Sequence, residues 1–206
     1  MSAHAPICDH PLFNYQPAWA QGRGAAVGHV TRHANLSATP AALWSVLADP
    51  RTWSDWLTVH QRWMAEPRAQ FVPGARMTAE TVMLGVSNTV EWTVESAIAP
   101  GTLVLIGAGE SGMRTRLTFW ISPAEEGSRL TITSEVAGEL LNDAIVGAIE
   151  QDGAEQLDRS IALLEDLAIV VPEQQPVRPS LRLVHSAPAA TDEPRRTGSA
   201  HLKMAR

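Results

Sequence analysis

Cysteine is nearly absent from this 206-residue chain: Cys8 stands alone, so no internal disulfide can form, and no Cys/His group has the spacing of a zinc site. A chain without disulfide staples fits a reducing compartment, and the expected location is cytoplasmic. Long apolar runs are missing as well. No stretch approaches the roughly 20 uninterrupted apolar residues of a membrane-spanning helix. The opening MSAHAPICDHPLFNYQPAWAQGRG has no basic segment followed by an apolar one, so neither secretion nor insertion is expected. Basic charge is scarce where a folded domain is expected. Formal net charge is -6, yet residues 172–206 hold six Arg or Lys against three Asp or Glu, and the first 27 residues balance Asp9 against Arg23. The acidic excess therefore sits in residues 28–171, which argues against a nucleic-acid surface there. Seven tryptophans without a positive groove beside them do not make a base-stacking platform.

What is present includes a literal G-x-G-x-x-G, GAGESG at residues 107–112. That pattern cradles a dinucleotide phosphate only when it leaves a strand and opens a helix. Upstream, TLVLI (102–106) suits a strand. Downstream, Met113, Thr115, Leu117, Phe119 and Ile121 alternate with Arg114, Arg116, Thr118 and Trp120, a period of two. The glycines thus belong to a hairpin connection, and no nucleotide cofactor is implied.

Along the chain, residues 1–27 read as an irregular N-terminal arm and residues 169–206 as a disordered, Pro-rich, basic tail, with one folded domain between them at 28–168. GHVTRHANL (28–36) predicts a strand. In SATPAALWSVLADP (37–50), Ser37 or Thr39 can cap a helix, Pro40 suits its first turn and Pro50 stops it. RTWSDWL (51–57) has room for one or two helical turns. Strands are then predicted at 58–66, 75–84, 87–98, 102–108, 113–122 and 128–137, with turns at Pro73-Gly74, Gly85–Asn88, Pro100-Gly101 and Glu125–Gly127. Short turns make these strands antiparallel neighbours.

The last element changes period. Leu141, Ile145, Ile149, Gly153, Leu157, Ile161, Leu164 and Ala168 recur every three or four residues, predicting a long amphipathic helix. Gly147 and Gly153 soften its first half, each by about 1 kcal/mol relative to Ala. They permit either a moving gate or a close approach of helix to sheet.

One strand, two short helices, six antiparallel strands and a long C-terminal helix form an α+β order that resembles the helix-grip fold of the START-like, or SRPBCC, superfamily of polyketide cyclases, dehydrases and lipid carriers. The local sequence is similar too: Pro40, Trp44, Asp49, Pro50, Trp53 and Trp56 stand where that superfamily opens with a Pro-led helix ending in Asp-Pro and an aromatic-x-x-Trp segment. Within it, DWLTVHQRW (55–63), SNTVEWTV (87–94) and the glycine hairpin most resemble an actinobacterial branch assigned as the toxin of type II toxin-antitoxin pairs. The resemblance implies a curved sheet gripping the helix around a cavity. It supplies no catalytic residue by position.

The strand faces nominate the cavity wall. Val90, Trp92, Val94 and Ile98 share one parity, as do Leu117, Phe119 and Ile121, and Leu130, Ile132 and Val136. Trp56, Trp63, Met77 and Met83 are expected to complete the wall, with Leu141 and Ile145 from the helix; adaptable Met beside large aromatics suits a greasy ligand. Ser134 and His60 are the polar candidates for a ligand carbonyl or hydroxyl. Glu91, Glu95, Arg116 and Arg129 fall on the opposite parity and are expected to pair in solvent. His29, His33 and His60 lack metal-ligand spacing. Two functions are consistent with this reading: binding of a small hydrophobic, polyketide-like or lipid-like ligand, with cyclase or dehydratase chemistry as an extension, or a toxin acting on a macromolecule and neutralised by a small antitoxin protein.

Overall fold

The structure is a computed structural model and describes residues 27–109 and 112–170. Its elements are β1 (Val27–Leu36), α1 (Pro40–Leu47), a 3-10 turn at Pro50–Thr52, α2 (Trp53–Trp56), β2 (His60–Trp63), β3 (Arg76–Met83), β4 (Val86–Ile98), β5 (Thr102–Gly109), β6 (Arg114–Pro123), β7 (Ser128–Ala137) and α3 (Asp143–Val170). The seven strands form one antiparallel, curved sheet in the order β1-β7-β6-β5-β4-β3-β2. Successive strands from β2 to β7 are hairpin neighbours, and β1 closes the far edge against β7.

Local chemistry sets the boundaries. Thr39 caps α1, its hydroxyl accepting the Ala42 N–H at 3.3 Å, and Pro40 occupies the first helical turn. Asp49 closes the next turn by accepting from the Arg51 N–H at 3.0 Å. Asn142 opens α3, its side chain accepting from the Ile145 N–H at 3.0 Å. The expected arm and tail lie almost wholly outside the described residues; at the junctions, β1 begins at Val27 and α3 runs to Val170.

The core lies between the inner face of the sheet and a layer made by α3, α1 and α2. From the sheet it takes Val94, Leu105, Leu117, Phe119, Leu130 and Ile132; from α3 it takes Leu157, Ile161, Leu164 and Ala168. Trp53 is the hub of an aromatic cluster, with ring centroids 4.9 Å from Phe71, 5.6 Å from Trp63, 5.8 Å from Trp56 and 6.0 Å from Phe119. Its indole N–H donates to the Leu47 carbonyl at 2.9 Å, so the buried ring leaves no polar atom unmet.

Three expectations need correction. Ile98 is 64% exposed, although it shares the parity of Trp92 and Val94. A bulge at Glu95 shifts the β4–β5 register between Val94 and Ser96, so parity flips and Ala97 turns inward opposite Leu103. The turn expected at Gly85–Asn88 is instead the two-residue Leu84-Gly85 connection, with φ of +52° and +74°, and β4 starts at Val86. Leu141 precedes α3, and Ile145 is exposed, because the first turn turns Val146 and Ile149 toward β1 at Gly28.

On the outer face, Arg116 pairs with Glu95 at 2.5 Å, as the opposite parity implied. Glu91 pairs with Arg76 at 3.5 Å, and Arg129 meets Asn35 rather than a carboxylate.

The glycines of α3 do not serve close packing. A Cβ on Gly147 meets nothing within 4 Å, and one on Gly153 meets only Val30 Cγ2 at 3.5 Å, an ordinary contact. Replacing both with Ala should raise stability by up to about 1 kcal/mol per site, because the unfolded chain loses freedom; a lower denaturation midpoint would show that the added methyls clash and that close packing does require glycine there. Leu84→Asn should stabilise by about 1 kcal/mol, since Asn tolerates the left-handed region that Leu does not and an Asn-Gly pair suits this turn. Equilibrium urea denaturation measures both.

Candidate functional site

A cavity lies between the inner face of the sheet and the first half of α3. Val30, Val90, Trp92, Leu117, Ser134 and Val136 form its floor, and Ile149, Gly153 and Leu157 of α3 cover it. One end is sealed by Trp53, Leu57 and His60, all buried. The half-open part adjoins His60, whose strand partner Thr81 pairs in turn with Asn88; there Met83 and Asn88 from the β3–β4 hairpin face Asp152 of α3. Asp152 latches this end: its carboxylate accepts the Leu84 N–H at 3.0 Å and the Gln156 amide at 3.3 Å.

Size sets what this state can hold. The enclosed space is about 80 Å³, roughly half of the 150 Å³ cavity that suffices for benzene. Even a single aromatic ring requires the wall to yield. The parts able to yield are the thioether chains of Met83 and Met113 and the first half of α3, which Gly147 and Gly153 soften. Gly107 has the opposite role. A Cβ there would meet Thr115 Cγ2 at 2.5 Å, Val90 Cγ1 at 2.7 Å and Trp92 Cζ3 at 3.0 Å, so the strand keeps Gly to let three lining side chains sit beside its backbone. The glycine motif thus contributes one residue to the cavity's support and, through Gly112 at φ +72°, one to a turn.

His60 is the unusual polar group. It is 4% exposed, and neither ring nitrogen has a hydrogen-bond partner. The ring packs 4.5 Å from Trp63 and 6.0 Å from Trp53, centroid to centroid. Burial pushes its pKa down to about 4, because the apolar surroundings disfavour the cation. At neutral pH it is therefore an uncharged imidazole able to donate from one nitrogen and accept at the other.

Of the residues the sequence nominated, Met83, Trp92, Leu117, Ser134 and His60 line the cavity. Trp56, Phe119 and Ile132 do not; they are fully buried in the core beyond its closed end. Trp63 donates its indole N–H to the Pro50 carbonyl at 2.7 Å and packs on His60 from behind. Met77 is half-buried, opposite Trp92 on the neighbouring strand. Leu141 and Ile145 lie outside the lining, for the reason given above. Asp152, Asn88, Thr81 and Thr115 are polar lining residues that inspection of the sequence misses. Thr115 had a signal, since it shares the parity of Leu117. Asp152 had only its place beside Gly153. Among the described residues, no three His, Cys, Asp or Glu side chains gather closely enough to hold a metal ion, and no helix is long and apolar enough to cross a membrane.

Residues 27–165 match the family of polyketide cyclases / dehydrases and lipid transport proteins. The chain belongs to that family. Toxin Rv0910 of Mycobacterium tuberculosis is 24% identical over 102 residues, half of this chain and 71% of that protein. Among solved structures, protein CV1439 from Chromobacterium violaceum superposes with a TM-score of 0.54 at 14% identity, covering 68% of this chain and 97% of the other. The Q3J4M4_RHOS4 protein from Rhodobacter sphaeroides gives 0.53 at 20% identity, covering 71% and 99%. At such identities the likeness shows the fold, which is the helix-grip arrangement of a ligand-binding family.

The neutral, buried His60 fixes a pH dependence. Between pH 6.5 and about 4 the unfolded chain binds a proton there that the folded chain refuses. Stability must fall as pH drops through that window, by about 3 kcal/mol once pH 4 is reached, and His60 contributes nothing to the slope above it. Urea midpoints followed from pH 7 to 4 should decline less steeply in His60→Leu than in the wild type. Parallel curves would mean that the imidazole is not held neutral.

Proposed function

We propose that this chain binds a small hydrophobic molecule, polyketide-like or lipid-like, between the sheet and the first half of α3. The observation that carries the reading is an apolar cavity whose closed end holds a buried histidine with no partner. Burying a polar side chain without a hydrogen bond is costly, and the cost is recovered when a ligand supplies the missing group. The family's description, which joins cyclisation, dehydration and lipid transport, supports the same use of the cavity.

Cyclase or dehydratase chemistry is the extension of this reading. A cavity can fold a reactive chain by shape, and His60 and Ser134 are two groups in its wall able to exchange protons or hydrogen bonds with a ligand. The neutral imidazole is the base and the serine hydroxyl a hydrogen-bond donor. Binding is favoured over turnover because His60 is a weak base at a pKa of about 4.

A different reading follows from the mycobacterial relative, which is named a toxin. Here the domain contacts a macromolecule and a small antitoxin protein neutralises it. A short gene beside this one, and growth arrest on induction that the neighbour relieves, would favour it.

The ligand reading is tested by native mass spectrometry of the full chain purified from its own host, followed by solvent extraction. The expected result is retained mass that disappears on extraction and is absent from Ser134→Phe, whose ring would fill the floor of the cavity. No retained mass, together with no shift in melting temperature across a panel of aromatic and aliphatic compounds, would rule it out.

A further inference from the structure

The charge of the cavity lining carries an inference about ligand class that rests on the binding reading above. Among its lining residues, only His60 and Asp152 can ionise, and neither supplies a positive charge at neutral pH. The chain's single lysine, Lys203, is outside the described residues. Among the described residues no arginine lines the cavity; Arg32 is held by Asp158 at 2.9 Å, Arg62 by Glu80 at 2.7 Å, and Arg116 by Glu95 across the outer face. The half-open end instead carries the Asp152 carboxylate.

An anion entering here would shed its water, meet no cation and pass a fixed carboxylate. An uncharged molecule bears none of these costs. Within the wall His60 offers either a donor or an acceptor, whichever its tautomer presents, which suits one hydroxyl, carbonyl or secondary amine. We propose that the cavity selects by charge: it takes an uncharged apolar molecule with one hydrogen-bonding group for His60 and excludes the same skeleton bearing a carboxylate or sulfonate. Free fatty acids and other carboxylate-headed lipids are thereby removed from the ligand class, while neutral ketones, phenols and alcohols remain.

Two fluorescent probes isolate the charge. N-phenyl-1-naphthylamine and 8-anilinonaphthalene-1-sulfonate share the same ring system and differ by the sulfonate. Titrated into the full chain at pH 7.5, the neutral probe should bind at least about tenfold more tightly, the equivalent of a modest uncompensated desolvation. Met83→Lys places a cation at the half-open end and should narrow that ratio by about tenfold; Asp152→Asn, which keeps an acceptor for the Leu84 N–H, should narrow it by a smaller factor. His60→Leu should weaken the neutral probe, whose amine loses its acceptor, while leaving the parent hydrocarbon naphthalene less affected.

Equal affinity for the two probes would overturn the charge inference and leave ligand binding standing. So would a preference for the neutral probe that neither Met83→Lys nor Asp152→Asn moves, because bulk rather than charge would then be responsible. Binding of neither probe would overturn the cavity reading itself, and this inference with it. Should Met83→Lys fail to fold, the Asp152→Asn ratio decides alone.

Discussion

Everything in this domain depends on one helix covering one sheet. A seven-stranded antiparallel sheet with an apolar inner face needs a second layer, and α3 is the element long enough to supply it: 28 residues, or about 42 Å at 1.5 Å per residue. Apolar burial holds its second half, where Leu157, Ile161, Leu164 and Ala168 face the core. Polar ties set its position along the sheet. Glu150 holds the β1 backbone at His29, Asp158 holds Arg32, and Glu165 accepts from both the backbone and hydroxyl of Ser37. On the other side, Ser160 accepts the Thr58 N–H at 3.0 Å and Asp152 accepts that of Leu84. The ties fix α3 to β1 and its end on one side and to the segments at Thr58 and Leu84 on the other, so sliding the helix would break them together.

The cavity is a consequence of how that cover is distributed. Toward its C-terminal half, α3 presents large side chains and meets α1 and α2, and the space beneath is filled by the Trp53 cluster. Toward its N-terminal half it presents Ile149 opposite Gly28 and Gly153 opposite Val30 of β1. Small residues on both layers leave a gap that core side chains do not enter. Its shape is then fixed from below by Gly107, whose missing Cβ lets Val90, Trp92 and Thr115 crowd over one strand. The same arrangement isolates His60, which lies at the boundary between filled and unfilled core and so finds aromatic edges rather than acceptors.

Much of this was legible in the sequence. Period-two alternation with short turns gives each strand from β3 to β7, and Thr39, Pro40 and Asp49 mark the short helical segments, because caps and turn residues act locally. The face assignments succeed wherever alternation is unbroken, as on β6, where Leu117, Phe119 and Ile121 all turn inward. They fail at Ile98 because a bulge adds one residue without any local signal, and at Ile145 because a heptad-like stripe says which face is apolar but not where the covered sheet ends. Trp56, Phe119 and Ile132 show the deeper limit. Parity tells inward from outward, but only the packing of α1 and α2 decides which inward residues fill the core and which border a space.

The latch at the half-open end joins these features to access. Leu84 occupies a left-handed conformation that an L-residue adopts at a cost of roughly 1–2 kcal/mol. Its backbone N–H is nevertheless directed to Asp152, a hydrogen bond to a charged acceptor and hence stronger than one between neutral groups. The β3–β4 hairpin and the soft half of α3 are therefore coupled through an exposed hydrogen bond, while the second half of the helix is fixed by buried apolar side chains. Opening the cavity requires breaking that contact and bending about two turns of α3 that bury little beyond Ile149. Opening from the other end would require unpacking Trp53, Leu57 and His60, whose aromatic contacts also support Phe71 and Phe119. The less buried side of the cavity is therefore the one beside Leu84, lined by Asp152, Asn88 and Met83.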